Sequence, residues 1–283
     1  MSNALLCARR TTHRRVTRES VCVIGFVLGF VFGVSTPASS APASSAWART
    51  ITVFAAASLH NAMSDIASRF GATHPGVKVA LNLDGSQILE TQLANGARAD
   101  VFASADSRSM DKAVAAGLVN APINFAANSL VAIVQTDIMA VHSLRDLTHD
   151  GLKVAICVES APCGRYTRIA LQRMSADKAF WPNYGKQVMR NVVTQELNVE
   201  SIVQKVMFGD IEAGIVYASD SWQKGGIRLR TYPIPNGDQE LAIYPIATVK
   251  SGANADLARA FVTYVLSADG QSALRANGFL PRP

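Results

Sequence analysis

The sequence predicts an α/β fold in two lobes, with mostly parallel sheets and two crossover strands forming a hinge. Three observations carry that prediction. From about residue 50 onward, short β-prone runs alternate with amphipathic helical stretches, the pattern of linked βαβ units. The run "AGIVYASD" (213–220) is apolar without alternation over its first half, as in a strand covered on both faces. Two further strands, near 129–135 and 241–249, stand between two βαβ clusters. A chain built this way leaves one lobe, forms a second and returns. The expected divisions are 49–129 for the first part of lobe 1, 130–240 for lobe 2 and 241–283 for the return segment.

Residues 1–48 read as a signal peptide that is removed. Arg9, Arg10, Arg14, Arg15 and Arg18 precede "VCVIGFVLGFVFGV" (21–34), which is short for a bilayer span and suits a signal core. A Pro/Ser-rich stretch follows and ends in Ala46-Trp47-Ala48, an A-x-A cleavage site. An uncleaved anchor is the alternative. The residues after Arg15 do not complete a twin-arginine signal, and Cys22 opens the apolar run instead of following it, which does not support a lipoprotein site. Cleavage removes five arginines and one glutamate, so the formal charge falls from +6 to +2. The basic character therefore belongs mostly to the leader. No block of Lys or Arg remains to suggest a nucleic-acid or membrane patch.

The elements then follow in order. "ITVFAA" (51–56) is a strand leading to the helix "LHNAMSDIASRFGATHPG" (59–76). "VKVALNLDG" (77–85) leads to "SQILETQLANG" (86–96), and "ADVFASAD" (99–106) to "SRSMDKAVAAGLV" (107–119). Gly96, Gly117 and Gly71 are candidates for helix C-termini, where glycine adopts the left-handed conformation at little cost. "NSLVAIVQ" (128–135) is a strand, "SLRDL" (143–147) a short turn or helix, and "LKVAICV" (152–158) a strand leading to "GRYTRIALQRM" (164–174). In "NVESIVQKVMFG" (198–209), Ile202, Val203, Val206 and Met207 form a helical stripe. "ELAIYPIATVK" (240–250) is the second crossover strand. One helix, "ADLARAFVTYVLSADGQSALRANG" (255–278), closes the chain before "FLPRP".

Four strand-to-helix corners share a character. Three alanines precede Ser58, which stands in N-cap position. Gly85 permits a tight turn before Ser86, also in N-cap position. In "APCGRY" the Cys163 and Gly164 amides head a helix, and in "ELNVES" Asn198 caps a helix that begins at Val199. Each helix start offers N–H groups without intrahelical partners and about half a positive charge. If the corners converge, they form an anion cage with no Lys or Arg, and Tyr217 at the end of "AGIVY" adds a phenolic donor. Taken singly, each serine is an ordinary cap and the tyrosine an ordinary core residue. Convergence is the expectation to test.

Cys157 and Cys163 are the two cysteines beyond the leader. In an oxidising compartment a pair this close is expected to form a disulfide. Free thiols and a metal site are the alternatives, the latter lacking further Cys or His nearby.

Seven pieces carry a resemblance: "VFAAASLHNAM", "DGSQILETQLANGARADVFASAD", "NSLVAIV", "PCGRYTRIAL", "AGIVYASD", "YPIATV" and "GQSALRANGF". In this order, over nearly all of Thr50 to Pro283, the chain resembles the periplasmic molybdate-binding proteins of ABC importers. The resemblance implies a type II periplasmic-binding-protein fold, and a tetrahedral oxyanion held between hinged lobes by neutral donors. Carried over by motif, the ligand contacts are Ser58, Ser86, Cys163, Val199 and Tyr217, which are the corners the capping argument selects. It further implies molybdate or tungstate as ligand rather than any cofactor, a membrane permease as partner, a periplasmic or extracytoplasmic location, and a monomer. Two departures stand out. The position of Cys163 often carries alanine in the family, and the segment between that loop and Asn198 is long. His60 follows Ser58 closely and is read as an exposed helix residue rather than a ligand contact.

A cage of donors alone has no acceptor for a ligand proton, so it selects fully deprotonated dianions. Molybdate, tungstate and sulfate qualify; phosphate near neutrality carries a proton. Asp84 and Glu200 are the carboxylates closest to the corners. Sulfate, or another small solute, is the alternative ligand. Catalysis is disfavoured: "AAASL" is not a G-x-S-x-G elbow, and no H-E-x-x-H or G-x-x-x-x-G-K occurs.

Overall fold

The computed structural model describes residues 49–221 and 229–283. The expected signal peptide over 1–48 lies outside the described residues. Among these there are ten strands: β1 (Arg49–Ala56), β2 (Val77–Asp84), β3 (Val101–Ala103), β4 (Ile123–Asn128), β5 (Leu130–Gln135), β6 (Val154–Cys157), β7 (Val192–Glu196), β8 (Ala213–Tyr217), β9 (Leu229–Pro233) and β10 (Ala242–Thr248). Eight α-helices accompany them: α1 (His60–Thr73), α2 (Ser86–Ala94), α3 (Ser107–Ala115), α4 (Pro162–Met174), α5 (Tyr184–Arg190), α6 (Val199–Met207), α7 (Ala255–Leu266) and α8 (Ala268–Ala276).

The strands form two five-stranded sheets of one design, ordered β2-β1-β3-β10-β4 and β7-β6-β8-β5-β9. In each, three strands pair in parallel, and the fourth is antiparallel to both its neighbours. That reversed strand is the one entering from the other lobe: β10 in the first sheet, β5 in the second. The chain changes sheets at Ser129, between β4 and β5, and again between Pro233 and Ala242. The sheets are therefore mixed, because the crossover strands must run against the βαβ strands they join.

Helical periodicity places the core. Met63, Ile66 and Phe70 of α1 are fully buried, and Phe70 meets Phe261 of α7 edge-on with ring centroids 5.2 Å apart. Ile202, Val203 and Val206 of α6 are buried likewise, on the helix that packs on β8 and β6. All five residues of β8 are buried, which accounts for its unbroken apolar run.

Some local expectations are corrected. Gly71 lies inside α1, and the left-handed glycine of that connection is Gly76 (φ 79°); Gly96 and Gly117 do adopt positive φ after their helices. The closing helix is two helices. Ser267 stands extended between α7 and α8 and caps α8 by accepting from the Gly270 N–H. Apolar spacing continues across this break, so periodicity alone does not reveal it.

Candidate functional site

The carboxyl ends of the parallel strands of both sheets carry the corners, where α/β sheets bind ligands. β1 passes into a 3-10 turn, Ala57–Leu59, before α1 begins. That turn places Ser58 ahead of the first α-helical residue. Leu59 takes the capping position without a side-chain bond, so Ser58 is not the expected N-cap. Its buried hydroxyl lies 2.9 Å from Tyr244 Oη.

Ser86 is also displaced from the expected role. Gly85 is the N-cap of α2 and Ser86 its first residue. Ser86 Oγ accepts the Ala105 N–H at 2.9 Å, which leaves its own hydrogen to donate elsewhere. Asp84 accepts the Gly85 N–H at 2.7 Å and the Asn198 side-chain amide at 2.8 Å. Asn198 caps α6 as expected, accepting from Ser201 N, and Val199 is the first helical residue.

Cys163 is the second residue of α4, after Pro162 at a position where the missing N–H costs nothing. Its sulfur is bonded to that of Cys157, the last residue of β6. Gly164 must lack a side chain here: a Cβ would stand 1.9 Å from the Val158 carbonyl oxygen. Helix start and cysteine loop are thus pressed together. Tyr217 ends β8, is 1% exposed, and its Oη has no hydrogen-bond partner among the described residues. Burial pushes the hydroxyls of Tyr217 and Tyr244 well above the usual phenol range, so both keep their protons and are able to donate.

Ser58, Ser86, Cys163, Val199 and Tyr217 line one cavity between the two sheets, together with Gly85, Ala105, Ala161 and Asn198 among others. It is small: about 20 Å³ is open to the centre of a water-sized sphere, room for a group of a few heavy atoms. None of the described residues lining it is acidic or basic. Asp84, Glu200 and His60 are not in its lining. The His60 side chain is half-exposed and lies 4.0 Å from Glu200 across the lobes.

Sequence reading missed the contacts that hold the lobes together around this cavity. Besides Asp84 with Asn198, Gln87 Nε2 donates to the Leu197 carbonyl at 2.8 Å. The buried Asp106 caps α3 and pairs with Arg165 of α4 at 3.1 Å. Asp106 follows a strand and precedes a helical run, so its capping role had a signal; its partner 59 residues away had none. Chemically, the cavity offers hydroxyl and helix-start N–H donors and no ionised side chain. Such a site holds a small anion by hydrogen bonds. Next to the Ser58 hydroxyl stands a phenol, which is no base to activate it.

Comparison with known proteins follows the same lines. The family model for bacterial extracellular solute-binding proteins matches residues 51–280. The molybdate-binding protein ModA of Mycobacterium tuberculosis is 38% identical over 249 residues, spanning 87% of this chain and 90% of the relative. The solved periplasmic molybdate-binding protein of Azotobacter vinelandii superposes with a TM-score of 0.73 at 19% identity, over 82% of this chain and 100% of that one. The sulfate-binding protein SubI of M. tuberculosis does so with a TM-score of 0.72 at 17% identity, over 82% and 87%. With two lobes, two crossovers and a donor-lined cavity between them, this chain belongs to the bacterial extracellular solute-binding protein family.

Proposed function

We propose that this protein captures molybdate, and with it tungstate, in the cavity between its lobes and delivers the anion to the permease of an ABC importer outside the cytoplasmic membrane. Ser58, Ser86 and Tyr217 donate from their hydroxyls, and Cys163 and Val199 from main-chain N–H groups at the starts of α4 and α6. One observation carries the reading: among the described residues the cavity has donors from both lobes, no ionised lining side chain, and a buried Tyr217 hydroxyl with no hydrogen-bond partner. A buried donor without an acceptor is costly, and a dianion supplies the acceptor. The 38% identity to a molybdate-binding protein favours molybdate among the dianions. Sulfate is the second reading, supported by a similar superposition on a sulfate-binding protein.

Capture is reversible in this scheme. The lobes part about the crossings at Ser129 and at 234–241, the anion docks on one lobe, and the donors of the other close over it. Thermal melts of ligand-free protein with molybdate, tungstate, sulfate or phosphate test the reading. At about a thousand times its dissociation constant a ligand adds roughly 4 kcal/mol of stability. A rise with molybdate and tungstate alone supports the reading. A rise with sulfate as large moves it to the second reading, and no rise with any oxyanion removes the anion site.

A further inference from the structure

A serine hydroxyl rotates to suit its neighbours, and its single hydrogen can turn to any acceptor within reach. Among the described residues Ser58 Oγ has one such acceptor, Tyr244 Oη at 2.9 Å. Distance alone leaves the direction of this bond open, and Asn128 settles it. Asn128 Oδ1 accepts the Ser129 N–H at 3.0 Å, which fixes the orientation of the amide. Its Nδ2 therefore faces Ser219 Oγ at 2.8 Å and Tyr244 Oη at 3.5 Å, and an amide nitrogen only donates. Tyr244 Oη already takes this long N–H contact and still has its own hydrogen to place. Tyr244 is fully buried, and burial keeps its phenol protonated. If Ser58 donated to Tyr244, the phenolic hydrogen would have no acceptor among the described residues, at the full cost of a buried unsatisfied donor. The ordering that satisfies every group runs from Asn128 to Tyr244 to Ser58.

We propose that Tyr244 is a positioning residue for the anion site: by donating to Ser58 Oγ it commits the Ser58 hydrogen to the cavity. The inference rests on the anion-binding reading above. Tyr244 is not part of the cavity lining, so it acts through Ser58. Its placement is built into the backbone. The pairing of β10 with β4 shifts register between Tyr244 and Pro245, and such a bulge re-aims the side chain beside it. Ser86 is arranged in the same way from the other side, its oxygen occupied by the Ala105 N–H. Both serines then meet an oxyanion with hydrogens already directed at it. Hydrogen bonds in series also polarise one another, so the phenol strengthens Ser58 as a donor.

Calorimetric titration of molybdate into the purified protein and its Tyr244→Phe, Ser58→Ala and doubly substituted forms tests the relay. Tyr244→Phe is expected to weaken binding about 5- to 20-fold, and the double substitution to bind no more weakly than Ser58→Ala alone. Losses that multiply, or an unchanged affinity in Tyr244→Phe, overturn the proposal. Failure of the unsubstituted protein to bind any tetrahedral oxyanion instead removes the anion-binding reading, and shows before a variant is made. A second measurement keeps the buried phenol in place. Replacing Tyr244 with 3-fluoro- and then 3,5-difluorotyrosine makes the phenol a progressively stronger donor. Molybdate affinity is expected to rise along this series when Ser58 is present and to stay flat in the Ser58→Ala background. A series that is flat in both, or that rises in both, overturns the relay.

Discussion

The Asn198 side-chain amide donates to the Asp84 carboxylate at 2.8 Å, tying the start of α6 to the end of β2. β2 lies in the first sheet and α6 packs on strands of the second, so the bond exists only while the lobes are together. The same Asn198 caps α6 through its other side-chain atom, and the same Asp84 oxygen, Oδ1, also accepts the Gly85 N–H. One oxygen of a carboxylate this near the cavity is thus turned to closure.

Substitution of Asn198 separates its two tasks. Asn198→Asp keeps a good capping oxygen but sets a carboxylate against Asp84, and it places negative charge at the cavity wall. Molybdate affinity is expected to fall about 10- to 100-fold by calorimetry, with the ligand-free melting temperature near that of the unsubstituted protein. Asn198→Ala should instead lose about 1 kcal/mol of stability through the missing cap, with a smaller loss of affinity. Equal affinity in Asn198→Asp and the parent protein would show that the bridge has no part in closure.

Gly85 makes a complementary prediction. Its backbone (φ −58°, ψ 137°) is open to any residue, yet a Cβ there would stand 2.6 Å from the Leu197 carbonyl oxygen across the lobes, and as close to the flexible end of Gln87 in its own lobe, which can swing aside. Gly85→Ala should therefore leave the ligand-free fold within about 0.5 kcal/mol of the parent and weaken anion binding roughly tenfold or more by obstructing closure. Small-angle scattering adds a direct readout: the variant should contract less on adding molybdate. Full contraction with normal affinity would contradict the steric argument.

How much of this was legible beforehand depends on the range of the interaction. The strand-to-helix corners are local patterns, and they pointed to Ser58, Ser86, Cys163, Val199 and Tyr217, which the fold brings to one cavity. The expected reason was wrong for two of them. Ser58 and Ser86 are not caps, because a 3-10 turn precedes α1 and Gly85 takes the capping place of α2. Their hydroxyl partners, Tyr244 and the Ala105 N–H, come from other strands and loops. The partner of Asp106 is chosen the same way, and no spacing rule reaches across 59 residues to Arg165. Tyr244 stood within a quoted motif and received no role, since nothing in "YPIATV" tells that a bulge turns its phenol toward Ser58.

The two hydroxyl donors should respond differently to truncation. Tyr217→Phe removes a buried hydroxyl that has no partner among the described residues, so ligand-free stability should hold or rise while anion affinity falls by roughly 1–3 kcal/mol, the range for a bond to a charged group. Ser86→Ala should cost similar affinity and some stability as well, because it orphans the Ala105 N–H. Paired melts and titrations check both. Unchanged affinity in both variants would exclude the proposed donor set.

The Cys157–Cys163 bond closes a loop of sequence separation 6, for which chain entropy gives roughly 2 kcal/mol of stabilisation. It also holds the start of α4, where Cys163 lines the cavity. Reduction, or the paired substitution Cys157→Ser with Cys163→Ser, should lower the melting temperature and weaken molybdate binding by a few-fold. A loss of stability with unchanged affinity would confine the bond to a structural role.

Asp220 fixes the expected pH dependence of stability. Its carboxyl is pushed up to about 8, chiefly by burial, with the Tyr217 N–H bond opposing and Glu200 adding to the rise. A folded-state acid of this kind keeps its proton while the unfolded chain releases it, so stability falls as the pH climbs from about 4 to about 8. The loss by pH 8 is on the order of a few kcal/mol. Asp146 and Glu196 act with the opposite sign. Burial raises both, but hydrogen bonds outweigh it and hold them below their ordinary values, so their contribution is present above those values and lost in acid. Asp220→Asn can still accept the Tyr217 N–H through its amide oxygen. Its melting temperature relative to that of the parent protein should rise from pH 4 to pH 8. Parallel melting curves across that range would mean that Asp220 ionises as freely in the folded protein as in the unfolded chain.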